Sequence, residues 1–196
     1  MRMRSTFAVA LLIALAFPAA AQAPAGCDTP ESHQFDFWVG KWEVHPNGAD
    51  KIIAHSLIEK RYSGCAIREN WMPLGREIAG GGGSLSLYDQ RQKKWRQAWV
   101  DSSGTRVDLD GGFADGVMAI VGNWENFSGP GKDALVRMRY QKQPDGQVRQ
   151  WGDSSTDGGK TWSPSFDFLY RRIDDFPSFS CGKGPRRSFH RQLKSP

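Results

Sequence analysis

Glu69 stands two residues before Trp71, and Gln97 lies between Trp95 and Trp99 with Asp101 two positions further on. Gln150 and Tyr170 come from later runs of the same alternating kind. Residues two apart on an extended strand share a face. If these faces turn inward, they make aromatic walls with a few convergent hydrogen-bonding groups, the usual lining of a small-molecule site. Glu69, Trp71, Gln97, Trp99, Asp101 and Tyr170 are therefore the expected ligand-binding residues for a small apolar or aromatic molecule. Two other assignments compete. The same residues could form a closed internal network, or face water while Arg96, Ala98 and Val100 pack the core, a change of one residue in register. Glu69 and Asp101 could also work as a general acid and base, as paired carboxylates do in hydrolases. A hydrolase or isomerase using a cavity carboxylate is thus the enzymatic alternative.

Other chemistries find less support. The histidines are His33, His45, His55 and His190, and none sits in a G-x-S-x-G or H-E-x-x-H context. Haem needs an axial ligand, and His55 alone falls inside a clear strand pattern. No C-x-x-C or Cys/His spacing suggests zinc. Gly80 to Gly83 lacks the Gly-Lys-Ser/Thr of a phosphate loop and precedes a strand, so a flexible loop or bulge at a barrel mouth is expected. No catalytic residue, metal or cofactor is assigned.

Alternating runs recur along the chain, split by Gly, Asp, Asn and Pro, which reads as all-β. The runs are 37–44, 51–62, 65–72, 84–88, 94–101, 105–109, 117–124, 134–143, 147–154 and 165–172. Asp110-Gly111-Gly112 and Asp115-Gly116 read as turns between them. Sequential hairpins with short loops predict an antiparallel up-and-down barrel of about ten strands, with a two-sheet β-sandwich as the alternative.

Residues 1–23 are expected to be a cleavable export signal. Arg2 and Arg4 precede the short apolar run Phe7 to Phe17, and Ala21-Gln22-Ala23 fits signal peptidase. No later segment approaches ~20 apolar residues, so no transmembrane segment is expected of the secreted or periplasmic product. The barrel domain is expected over 24–180. Residues 181–196 form a basic tail of the composition of solvated disorder. The chain carries 26 basic and 21 acidic residues; five of the basic ones, Lys183, Arg186, Arg187, Arg191 and Lys194, follow the last acid, Asp175. A surface interaction module acting through this tail on the cell envelope is a third reading; no nucleic-acid partner is expected. Of three cysteines, Cys27 and Cys181 flank the domain, so a bridge between them is expected, with Cys65 as a buried small side chain.

Phe35 to Val44 reads FDFWVGKWEV. With Gly64-Cys65, Glu69-Asn70-Trp71, Gly83-Ser84, Tyr88-Asp89, Lys94 to Asp101 and Ser155 to Trp162, it resembles a bacterial family of exported, functionally uncharacterised β-barrel proteins, more distantly lipocalin-like. The resemblance runs from about Phe35 to Tyr170 and implies a barrel without implying an activity. In lipocalin-like barrels the Gly-x-Trp tryptophan plugs one end beneath an arginine of the last strand, which implies Trp42 with Arg171 or Arg172 here. Ser155 to Trp162 resembles the Asp-box turn of sialidase propellers, with Asp157 capping backbone amides above Trp162.

Overall fold

The computed structural model describes residues 27–75 and 81–176. Ten antiparallel strands close into an up-and-down barrel: β1 (Gly40–Pro46), β2 (Ala54–Arg61), β3 (Ala66–Pro73), β4 (Gly82–Asp89), β5 (Lys94–Asp101), β6 (Arg106–Ala114), β7 (Val117–Trp124), β8 (Ala134–Lys142), β9 (Val148–Ser155) and β10 (Ser163–Arg172). Each strand pairs with its neighbour in sequence, and β1 pairs with β10. Closure leaves no unpaired sheet edge. The expected export signal, the tail beyond residue 180, Cys181 and His190 lie outside the described residues. No helix among those described is long and apolar enough to cross a membrane.

Inward positions follow the two-residue alternation. Val44, Ile58, Ile67, Val107, Leu109, Met118, Ile120, Val136 and Val148 are buried, while Arg96 and Val100 on the opposite face of β5 are exposed. Three expectations about the strands are corrected. Phe37 and Trp38 do not begin β1; they belong to a short 3-10 turn, Asp36–Trp38, that follows a first one at Pro30–His33. Asp110-Gly111-Gly112 is not a turn but the middle of β6. Gly111 is there because β6 runs so close to β7 that a Cβ would overlap the Ala119 carbonyl. The reversal comes at Asp115-Gly116, both at positive φ, as a two-residue hairpin needs. Gly82 and Gly83 are likewise strand residues, the first of β4. There the missing side chains leave room for the Trp99 ring and the Glu69 carbonyl.

The N-terminal segment stoppers one end. Phe35 and Trp38 are fully buried and stacked, with ring centroids 4.9 Å apart. Trp42 Nε1 donates to the Trp38 carbonyl at 2.9 Å, and Trp95 Nε1 donates to Gln34 at 3.1 Å. The Arg172 guanidinium lies 4.3 Å over the Trp42 ring and donates to the Val39 carbonyl at 3.0 Å. Arg171 points elsewhere and pairs with Asp50. Gly40 lies beneath Arg172, where a Cβ would displace the guanidinium. The disulfide corrects the expected pairing: Cys27 is bonded to Cys65, not to Cys181. Cys65 sits in the tight turn that leads into β3, so the bridge fastens the plug segment to the barrel rim.

At the other end, Asp157 organises the β9–β10 turn. It accepts from Ser155 Oγ, from the Lys160 and Thr161 amides and from Thr161 Oγ1, and Trp162 Nε1 donates to the Gly159 carbonyl. These donors, the Thr161 hydroxyl foremost, hold the Asp157 carboxyl far below the usual range. Arg137 stacks 4.2 Å over Trp162.

Closing a loop of 38 residues stabilises the fold by about 3–4 kcal/mol in the chain-entropy description. Replacing Cys27 and Cys65 together by serine is expected to cost that amount in urea unfolding, and non-reducing peptide mapping is expected to recover the Cys27–Cys65 link. Arg172→Ala is expected to cost about 1 kcal/mol and Trp42→Ala about 3–5 kcal/mol, with Arg171→Ala below about 1 kcal/mol because its ion pair is exposed. An equal loss at Arg171 and Arg172 in the same assay would contradict the stacking role.

Candidate functional site

Above the plug the barrel is not filled. A cavity of about 210 Å³ lies between the strands, and its lining divides into two layers. The deeper layer is polar: Glu69, Gln97, Tyr140, Gln150 and Tyr170. It rests on the plug, for the Trp38 ring is 4.8 Å from Tyr140 and 6.1 Å from Tyr170. The layer toward the opposite end of the barrel is aromatic, made by Trp71, Trp99, Trp124, Phe127, Phe166 and Phe168. Phe166 and Phe168 stack at 5.2 Å, and Phe168 lies 5.8 Å from Trp71. Antiparallel register makes this layering. The C-terminal ends of β3, β5 and β7 meet the N-terminal end of β10, so their aromatic residues converge at one end. Gly82 and Gly152 leave the space that the rings of Trp99 and Phe166 occupy.

Glu69 is 5% exposed and carries no cationic partner among the residues lining the cavity. Ser56 Oγ donates to its Oε1 at 3.0 Å and Ser84 Oγ to its Oε2 at 3.1 Å. The Tyr170 hydroxyl donates to Gln150 Oε1 at 2.6 Å and lies 3.4 Å from Glu69 Oε1. Gln150 Nε2 in turn donates to the Tyr140 hydroxyl at 3.1 Å, and that hydroxyl lies 3.6 Å from Met138 Sδ. Desolvation pushes the Glu69 carboxyl up to about 7, against the opposing pull of Ser56, Ser84 and Tyr170. Burial first, and the nearby Glu69 charge second, raise both Tyr140 and Tyr170, so both stay neutral at any physiological pH. A protonated Glu69 fits the geometry. Tyr170 spends its one proton on Gln150, so its oxygen is available to accept from a Glu69 hydroxyl.

Of the residues expected from the sequence to bind ligand, Glu69, Trp71, Gln97, Trp99 and Tyr170 meet in this cavity. Asp101 does not. It ends β5 and caps the following turn, accepting from the Ser103 amide at 2.9 Å and from Trp99 Nε1 at 3.2 Å. Partial burial raises its carboxyl, but the Ser103 and Trp99 hydrogen bonds outweigh this and hold it below its ordinary value. Asp101 therefore leaves Glu69 as the single carboxylate in the cavity, and the proposed acid–base pair is not assembled there. The internal network and the cavity, set out above as alternatives, are both present: Glu69, Gln150 and the tyrosines belong to each.

Sequence reading passed over Trp124, Phe127, Met138, Tyr140, Phe166 and Phe168 as lining, and Ser56 and Ser84 as partners of Glu69. Two-residue spacing back from Tyr170 points to Phe168 and Phe166, and the pair Met138 and Tyr140 has the same spacing. Phe127 sits in the β7–β8 loop and carries no such signal. His45 is a buried strand residue alongside His55. Neither lines the cavity. Among the described residues no cluster of His, Cys, Asp and Glu could hold a metal.

Fold and cavity together define an up-and-down β-barrel with an interior space of small-molecule size. No protein-family model and no curated protein matches the chain.

Glu69 in the unfolded chain titrates near 4.5 and in the folded protein near 7. The native state therefore holds the proton more tightly. The stability this contributes is fully present below pH 4.5 and is lost as pH rises toward 7. Relative to Glu69→Gln, the wild-type protein is expected to lose roughly 3 kcal/mol between pH 4.5 and pH 8 in urea unfolding. A constant difference across that range would show that Glu69 titrates normally.

Proposed function

We propose that this protein is an exported carrier or sensor that encloses a small, largely apolar or aromatic molecule in its barrel. The observation that carries the reading is the unfilled cavity of about 210 Å³, aromatic on its walls and polar at its deep end. Protein cores otherwise pack with few voids larger than a water molecule. An apolar cavity of about 150 Å³ is enough to hold benzene, and drug-sized pockets run to roughly 300–1,000 Å³. The ligand is then a molecule of one or two rings. Export is supported by the charged and apolar pattern of residues 1–23 and by the Cys27–Cys65 disulfide, which belongs to an oxidising compartment. Resemblance to the exported bacterial barrel family is consistent with both.

An enzymatic reading rests on one observation, the buried Glu69 with its carboxyl near 7, which is suited to taking a proton at neutral pH. A hydrolase or isomerase would then use Glu69 alone as its base. Turnover separates the two: an enzyme converts its bound compound and Glu69→Gln abolishes that conversion, whereas a carrier returns the bound compound unchanged with either residue.

Native mass spectrometry of the protein recovered from a bacterial periplasm is expected to show a mature chain beginning at Pro24 with a reproducible bound mass. Phe168→Ala is expected to weaken binding of the recovered compound about tenfold, read by quenching of the cavity tryptophans, since it removes one ring from the wall at a cost of ~1.4 kcal/mol. Protein that emerges empty and cannot be loaded from crude extract would overturn the carrier reading.

A further inference from the structure

The polar layer is unbalanced in a way that says what kind of ligand completes it. Ionised Glu69 has room for about four accepted hydrogen bonds. Two serine hydroxyls supply donors, at 3.0 and 3.1 Å, while Tyr170 is committed to Gln150 at the shorter distance of 2.6 Å. The carboxylate faces Ser56 of β2, Ser84 of β4, Tyr140 of β8, Gln150 of β9 and Tyr170 of β10; the titratable ones are the two tyrosines, and both are held neutral. Gln97 of β5 is occupied with Ser86. No Lys, Arg or His lines the cavity. A buried anion without a counter-charge is costly and persists where something compensates it. The remaining walls are the rings of Trp71, Trp99, Trp124, Phe166 and Phe168, whose faces attract cations and repel anions.

From this arrangement, and resting on the carrier reading above, we propose that the cavity selects compact organic amines, with the ligand's ammonium on Glu69 and its ring against Trp71, Trp99 and Phe168. The ammonium supplies the positive charge that the protein omits. Its other N–H bonds face π-surfaces, which serve as acceptors for a cation. An anionic ligand would meet both Glu69 and the negative ring faces, and a neutral one would leave the carboxyl protonated. In the empty protein at neutral pH Glu69 shares its proton with Tyr170; an arriving ammonium displaces that proton to solvent.

Isothermal titration calorimetry with phenethylamine and its neutral counterpart 2-phenylethanol tests the assignment. The amine is expected to bind more tightly than the alcohol at pH 8. Below the Glu69 midpoint near 7, its affinity should fall about tenfold per pH unit, with release of up to one proton seen by repeating the titration in buffers of different ionisation enthalpy. Glu69→Gln should lose amine affinity at least tenfold and keep the alcohol. Should that variant not fold, the proton count and pH slope of the wild-type protein decide alone. An alcohol that binds as tightly as the amine, or an amine affinity indifferent to pH, overturns the amine assignment and leaves the carrier reading standing. Failure of both compounds to bind or to quench the cavity tryptophans overturns the two together.

Discussion

Closure of β1 on β10 is the constraint on which the interior depends. Glu69 is on β3 and its hydroxyl neighbour Tyr170 is on β10, so the contact between them exists only because β1 and β2 complete the circuit from one to the other. The same pairing sets Trp42 opposite Arg172 in register and places the guanidinium over the indole. Were the sheet open between β1 and β10, Trp42 would lose the arginine stacked on it and Glu69 its Tyr170 neighbour. A closed barrel also satisfies its backbone around the whole circumference, which frees the interior side chains from any duty except packing and recognition.

Packing is the duty of only one end. Phe35, Trp38 and Trp42 fill the barrel where the N-terminal segment enters, and the Cys27–Cys65 bridge holds that segment in place. Rings at the other end stand around a void instead of closing it. The difference comes from where the polar residues sit. Glu69, Gln150, Tyr140 and Tyr170 form a floor whose hydrogen bonds are directed at one another, so the apolar rings above cannot collapse onto it without burying groups that still have capacity to bond. A carboxyl kept there costs stability at neutral pH. Such a residue reads more readily as a recognition device than as part of the scaffold.

Local patterning made much of this legible. Alternation over Lys94 to Asp101 and Val117 to Trp124 matches β5 and β7 residue for residue. It also put Glu69 with Trp71 and Gln97 with Trp99 on inward faces, because a strand's two faces differ in polarity wherever one of them is buried. Glycines misled it. Gly111, Gly112, Gly82 and Gly83 look like turns in one dimension, whereas each serves close approach between neighbouring strands or to an aromatic ring, or simply continues a strand. Asp101 failed for a related reason. It keeps the alternation but stands at the strand's last residue, where the nearest unsatisfied donors are the amides of the turn.

The amino-acid order by itself determined that the chain is β, where most strands run, and which faces carry aromatic and polar groups, since these depend on neighbours within a few positions. Only the tertiary structure decided that Cys27 meets Cys65, that Arg172 rather than Arg171 stacks on Trp42, and that a single carboxylate stands in the cavity. Those are relations between segments far apart in the chain. They depend on how the barrel closes and how its strands are staggered, which no local periodicity records.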